Sequence, residues 1–401
     1  QFQLKASLRR IFRSKLTYII NTTCMAAGIT SFLIVSLYVY QELGFNHHYD
    51  QGAQIYRVAS SLTSIQTRDT QKMGPVIASL HHHLRDYPGI DQLTSVVREN
   101  KAVNIEHNGR VFNERNILRA DQSFFKVFNQ AWSEGEPKSA LENPNSIVIT
   151  SSFAKKYFGH SKDVLGKDLI LNENVYLVTG VVDDTPENSD LHFDAIISFE
   201  SDRVDMQYDW SQLFLILNPT ISPESFQEHL TSILNLEYKP ILAQSGIDGT
   251  FELEKLYDIH FGEERILDGP KADKAQLILL AGISLIVLLV AIINYIILIL
   301  SDLPNQTRGL GVKRIFGATK NSLLYNYLFE LLLLIIVSLS LAFLTIFVLR
   351  PELEQLIGYR LPISISDLLI VSAVIVLVVT AISTCCFYAL IIYKFNALQA
   401  L

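Results

Sequence analysis

The sequence predicts an α-helical membrane protein with four transmembrane helices and a large extracytoplasmic α+β domain. Three observations predict it. Four apolar runs are each long enough to cross a bilayer, which takes roughly 20 helical residues at about 1.5 Å each. Three lysine- and arginine-bearing segments beside those runs fall on the same side. The long segment between the first and second runs changes to short alternating stretches and amphipathic helices. The whole chain of 401 residues is 49% hydrophobic, with mean hydropathy +0.26, more apolar than a soluble domain of this length.

Taken in order, residues 1–16 form a basic N-terminal segment carrying Lys5, Arg9, Arg10, Arg13 and Lys15 and no acid. The first span covers 17–43, with "TYIINTTCMAAGITSFLIVSLYVY" its apolar run over 17–40. Its apolar part is too long for a cleavable signal peptide, and no small-residue cleavage site follows. The other spans are 275–302, 322–349 and 368–393. Asn294 is a strongly polar interruption of the second and Glu330 of the third. An ionised carboxylate among acyl chains is costly, so Glu330 is expected to face protein or the cytoplasmic interface.

The short segment 303–321 carries Arg308, Lys313, Arg314 and Lys320, and the tail 394–401 carries Lys394. With four spans, these lie on the same side as residues 1–16. The positive-inside rule makes that side cytoplasmic and puts 44–274 and the loop 350–367 outside. The large segment holds about 34 acidic against about 21 basic side chains, so the exterior is net acidic. Cys24, Cys385 and Cys386 all fall within spans. No disulfide is expected outside, and the adjacent pair reads as small apolar helix residues rather than a metal or redox pair.

Within 44–274, "IYRVASSL", "LTSVVREN" and "NVYLVTGVV" have the β-branched alternation of strands. Asn108-Gly109 marks a hairpin. Residues 75–86 read as a helix opened near Pro75 and closed by Pro88-Gly89. "SIVITSSFAKKYFG" is a strand turning through Ser151-Ser152 into a helix that stops at Gly159. Ser222 and Pro223 start another helix. Two histidine clusters, 47–48 and 81–83, invite a metal reading. Successive helix positions diverge by about 100°, so His81, His82 and His83 cannot converge on one ion and are expected at the surface.

The stretch "TRGLGVKRIFGATKNSLLYNYLFE", 307–330, is glycine-rich and basic. It is no Walker A loop, because Gly309, Gly311 and Gly317 have the wrong spacing, no strand precedes them, and Ala318-Thr319 follows Gly317. A short amphipathic helix from about 310 to 316 remains, with Val312, Ile315 and Phe316 on one face and Lys313 and Arg314 on the other, ended by Gly317. By composition it serves equally as a membrane-surface anchor or as a docking helix.

This stretch resembles the cytoplasmic segment of the MacB/FtsX-like ABC transporter permease family, at Gly311, Val312, Lys313, Arg314, Ile315, Gly317, Ala318 and Glu330. "FNHHYDQGAQIYRV" (45–58), "ADQSFFKVF" (120–128), "GEPKSALENPNSIVITSSFAKKYFG" (135–159), "LGKDLIL" (165–171) and "VTGVVDDTPENSDLHFDAIIS" (178–198) resemble the family's outer-domain landmarks. The resemblance implies a type VII ABC permease in a bacterial cytoplasmic (inner) membrane. Both termini would be cytoplasmic and the large domain periplasmic, divided into a porter-like part and an inserted subdomain placed at 98–200. It also implies that the second and third spans continue as long helices toward the outer domain, and that Gly311 to Ala318, Phe316 included, contact an ATPase. Gly309-Leu310 replaces the family's Lys-Glu, and the tail lacks its usual Pro.

The resemblance thus implies a non-catalytic permease subunit without a cofactor of its own; ATP and Mg belong to a separate ABC ATPase dimer. Further partners are a second copy or sister permease, membrane lipids, and a periplasmic adaptor, lipoprotein or hydrolase; no nucleic acid is among them. Cargo would be a lipoprotein, peptide or amphipathic compound. The alternative is an FtsX-like scaffold that activates a periplasmic hydrolase or sensor without moving cargo. No nucleophile–base or paired-carboxylate pattern in the sequence points to an enzyme.

Overall fold

The computed structural model describes residues 15–99, 101–107, 110–199, 210–315, 320–357 and short stretches between 370 and 382. The chain divides into two units, one of Gln1–Leu43 with Lys274–Leu401 and one of Gly44–Asp273. The first helix, α1 (Lys15–Leu43), belongs to the former.

The large unit runs from a 3₁₀ turn (Gly52–Gln54) through β1 (Ile55–Ser64), β2 (Thr70–Met73), β3 (Val76–Ile77), α2 (Leu80–Arg85) and β4 (Ile90–Arg98). Then come β5 (Val103–His107), β6 (Arg110–Glu114), β7 (Ile117–Ala120), α3 (Phe124–Val127), β8 (Trp132–Gly135), β9 (Ser146–Thr150) and α4 (Ser151–Phe158). β10 (Asp168–Leu171), β11 (Asn174–Val182), β12 (Ala195–Ser198) and β13 (Trp210–Leu217) follow. α5 (Pro223–Ile233), α6 (Lys239–Gln244), β14 (Ile247–Lys255) and α7 (Leu256–Ile259) complete it.

Fourteen strands join in one mixed sheet, ordered β14-β1-β13-β4-β7-β12-β9-β11-β10-β5-β6, with β2, β3 and β8 attached beside it. Most neighbours are antiparallel; β9 with β11 and β7 with β12 are parallel. A central core around Phe124, Phe128, Phe193 and Phe214 joins residues from both sides of the β4–β7 seam. Separate cores lie under α4, around Phe153 and Tyr157, and under α5, around Phe226 and Leu230.

Local chemistry explains several boundaries. Thr150 caps α4 by accepting from the Phe153 amide at 3.3 Å, and Gly159 closes it in the left-handed region, where no Cβ interferes. Ser222 caps α5 at 3.1 Å, ahead of Pro223. The hairpin of β5 and β6 pairs His107 with Arg110.

Two expectations fail here. The helix expected over 75–86 starts at Leu80, because Val76 and Ile77 pair with Ser211 and Trp210 of β13. Sheet pairing outweighs helix propensity for a β-branched dipeptide. His81 is not at the surface but 5% exposed, its Nδ1 at 2.8 Å from Ser95 Oγ.

In the other unit, α8 (Lys274–Ile315) and α9 (Lys320–Ile357) pack with α1 around Ile29, Leu33, Leu288, Ile292 and Leu334. Gly28 permits the close approach: a Cβ there would stand 2.7 Å from Ala291 Cβ. Ser338 Oγ donates to Thr22 O at 3.3 Å. Three described helices are long and apolar enough to cross a membrane, through Tyr18–Leu43, Lys274–Ile297 and Phe329–Ile357. Most of the fourth expected span, with Cys385 and Cys386, lies outside the described residues.

The helices overrun the expected span ends. α8 continues unbroken through 303–315, so the coupling segment begins as an extension of the second span and not as a separate short helix. One proline, Pro304, removes one helical hydrogen bond, and the glycines at 309 and 311 cost roughly 1 kcal/mol each; neither need end a helix this long. α9 likewise runs past 349 to Ile357, where a loop was expected. Arg350 Nε donates to Glu354 Oε1 at 2.7 Å one turn on.

Candidate functional site

The large unit joins the helical unit through two covalent links: the chain arrives after Leu43 and leaves at Lys274. The incoming arm (44–50) and the exit strap (261–273) are both fastened to the same corner of the sheet.

Asn46 anchors the arm. Its backbone is left-handed (φ 62°), which asparagine tolerates better than most residues, and it is fully buried. Its Nδ2 donates to Asp190 Oδ2 at 2.6 Å and to Leu256 O at 3.1 Å, while Oδ1 accepts from the Asp190 amide at 2.9 Å. The Asn46 amide donates to Asn188 O at 2.8 Å, and Asn188 Nδ2 returns to Gly44 O at 2.9 Å. Tyr49 meets Ser189 Oγ at 3.2 Å. The loop 185–191 between β11 and β12 therefore grips the arm along its length. Burial pushes the Asp190 carboxyl up, only partly countered by the Asn46 hydrogen bond and the Lys271 charge.

The arm also touches α7 and its C-cap, from which the strap leaves. Phe45 stacks on His260 at 3.5 Å, with planes 3° apart, and His47 stacks on Tyr257 at 4.2 Å. His260 Nδ1 lies 2.9 Å from Pro270 O, which makes it the donor there.

The strap is fastened by charge. Arg57, on β1 and 1% exposed, forks onto Asp268 with Nη1–Oδ1 at 2.6 Å and Nη2–Oδ2 at 2.9 Å. It also donates to Glu254, its register partner on β14, at 2.6 Å. Lys271 Nζ lies 2.9 Å from Asp268 Oδ2, and Arg265 pairs with Glu252 and Glu254. Burial alone would raise the Asp268 carboxyl; the Arg57 hydrogen bonds and charge, with Lys271, outweigh it and hold Asp268 down at about 2. Arg98 donates to Asp190 O beside this cluster, joining it to the arm's anchor.

Sequence reasoning did not single out these anchors. "FNHHYD" and "TPENSDLHF" stood out only as separate stretches, and nothing in sequence pairs Asn46 with Asp190 across 144 positions.

The sequence-predicted residues are placed as follows. Gly311, Val312, Lys313, Arg314 and Ile315 form the end of α8, while Phe316, Gly317 and Ala318 lie outside the described residues. Lys15 opens α1; Lys5, Arg9, Arg10 and Arg13 lie outside the described residues. Asn294 and Glu330 are half-buried on α8 and α9. Among the described residues no group of three or more His, Cys, Asp or Glu could hold a metal ion.

One arrangement mimics a hydrolase triad. His81 Nδ1 lies 2.8 Å from Ser95 Oγ and 3.9 Å from Asp121 Oδ2. A triad needs serine and carboxylate on opposite ring nitrogens; here both approach Nδ1, and all three residues are buried. Asp121 instead accepts from Thr94 Oγ1 and the Ser95 and Ser123 amides, tying β4 to the start of α3.

Two family profiles match this chain: a MacB-like periplasmic core domain over residues 18–233, and an FtsX-like permease C-terminal region over 281–397. Macrolide export ATP-binding/permease protein MacB 1 of Yersinia pestis bv. Antiqua is 20% identical over 230 residues, covering 55% of this chain and 33% of that protein. The chain therefore matches about a third of that relative's length. Among solved structures, a domain of a protein named as a permease from Porphyromonas gingivalis has a TM-score of 0.45 at 18% identity, over 58% of this chain and 98% of that one. The periplasmic region of MacB from Actinobacillus actinomycetemcomitans has 0.37 at 15%, over 51% and 89%.

Proposed function

This chain belongs to the MacB/FtsX-like ABC transporter permease family, and from that premise we propose that it is the permease subunit of a type VII ABC transporter. It hydrolyses no ATP itself. A separate ABC ATPase dimer, with ATP and Mg, docks on residues 311–318. The permease, paired with a second copy or a sister subunit in a bacterial inner membrane, passes the motion to its periplasmic domain. That motion exports or extracts a lipoprotein, peptide or amphipathic compound.

One observation chiefly supports the reading. α8 is a single helix of 42 residues from the strap's end to the proposed docking segment, about 63 Å at 1.5 Å per residue. A continuous helix transmits displacement along its axis with little loss. Within the large unit the strap that leads to this helix is fastened to the sheet by the Arg57–Asp268 fork, which supports transmission rather than a slack linker.

The test is docking and coupling. Phe316→Ala should weaken pull-down of the ATPase most, by roughly 2 kcal/mol, as a central aromatic anchor does. Lys313→Ala should change mainly association rate and salt dependence. Full ATP-driven activity in Phe316→Ala would reject the docking assignment. Co-purification of an ATPase with a hydrolase or sensor kinase, and no cargo movement, would favour the regulatory scaffold.

A further inference from the structure

Leu267 is the strained point of the strap. Its φ is 59°, a left-handed conformation in which the Cβ of a leucine crowds the following carbonyl. Its side chain is 43% exposed, so burial does not offset the strain. The neighbours impose it. The Ile266 amide donates to Lys72 O at 2.8 Å, and Ile266 O accepts from the Gly74 amide at 3.0 Å. Leu267 O accepts from Gln212 Nε2 at 3.1 Å, and Asp268 is held by the Arg57 fork.

The charges are distributed so that this fastening can part. Asp268 has a second partner on its own strap, Lys271, three residues on. Arg57 has a second partner on its own sheet, Glu254. Separating strap from sheet therefore strands neither buried charge, whereas parting an isolated buried pair leaves two uncompensated ions. Beyond this stretch the strap stays on α7: the Ala272 amide donates to His260 O at 2.9 Å, and Pro270 O accepts from His260.

We propose that residues 266–269 are a strained latch, which in its closed state ties the strap leading to α8 to β1 and β13 and in its open state leaves the strap held chiefly through α7 and β14. Closed, displacement of α8 enters the sheet at Arg57. Open, Leu267 relaxes to extended backbone and the same displacement reaches chiefly α7 and the terminal strand. The latch as a transport element rests on the proposed function; its opening does not.

Hydrogen exchange on the full chain in lipid nanodiscs tests it. The Ile266 and Gly74 amides should exchange at least about tenfold faster than the β1–β14 amides and than Ala272, which stays bonded in both states. Leu267→Asn, which keeps the left-handed backbone with less strain, should slow those two amides by about threefold to tenfold. Asp268→Asn should speed them and leave β1–β14 unchanged. Ile266 and Gly74 exchanging at the sheet's rate, or unaltered by Leu267→Asn, would overturn the latch, and the latter arm stands even where Asp268→Asn fails to fold. Adding the ATPase with ATP should shift the same two amides. No shift with ATP, while the variant effects hold, would count against the transport reading alone.

Discussion

The incoming arm and the exit strap meet the same corner of the large domain by different chemistry. The arm is held by an amide side chain, backbone hydrogen bonds and stacked rings at Asn46, Phe45 and His47. The strap is held by a guanidinium–carboxylate fork flanked by further ion pairs. Amide hydrogen bonds and ring stacks tolerate salt. Buried ion pairs fail abruptly when one member is removed or neutralised. The difference marks the arm as the fixed attachment and the strap as the switchable one.

The largest effect should come from Arg57→Met, which leaves Asp268 without its main counter-charge and Glu254 without one of its two. Urea unfolding should show a loss of about 3–5 kcal/mol. Adding Asp268→Leu should lower that loss; simple addition of the two single effects would contradict the pairing.

Asn46→Ala should cost about 2–3 kcal/mol, because three side-chain hydrogen bonds vanish and Asp190 is left buried without its donor. Asn46→Gly loses the same bonds but keeps the left-handed backbone. It should therefore be the milder of the two, and equal losses would show that the conformation contributes nothing.

Acid should separate the two attachments. His48, in the arm, has both ring nitrogens buried without a partner, and burial lowers it to about 4. The unfolded chain takes up this proton from about pH 6.5 downward and the folded chain does not, so stability falls between pH 6.5 and 4. Asp268, held at about 2 against 3.8 unfolded, contributes about 2 kcal/mol above pH 3.8, lost as pH falls through 2. In a titration of thermal stability, His48→Gln should flatten the first window only and Asp268→Asn the second only.

The smallest effect should be Phe45→Leu. It keeps apolar volume and loses the stack on His260, about 1 kcal/mol in a melting experiment. A larger loss would mean that the arm depends on the ring for shape and not only for stacking.

Much of the large domain was legible because strands and caps are local. β1, β4 and β11 follow their β-branched runs, and Ser222 with Pro223 starts α5 as expected. Two misreadings share one cause. Val76 and Ile77 left the expected helix for a pairing partner more than 130 positions away, and His81 went inside because Ser95 was there to receive it. The coupling segment was misread as separate because its glycines and Pro304 look like punctuation, yet the helix entering it was already long.

By itself the sequence determined the apolar helices, the mixed α+β character of the segment between them, and the family resemblance. These follow from composition and periodicity over neighbouring residues, where burial and hydrogen bonding have local solutions. Only the tertiary structure decided where the two links to the helical unit are fastened. Asn46 meets Asp190, and Arg57 meets Asp268, because a sheet whose strands are ordered unlike the chain brings distant positions side by side. A buried amide or ion pair is specified by its partner in space, and one-dimensional pattern carries no record of which partner that will be.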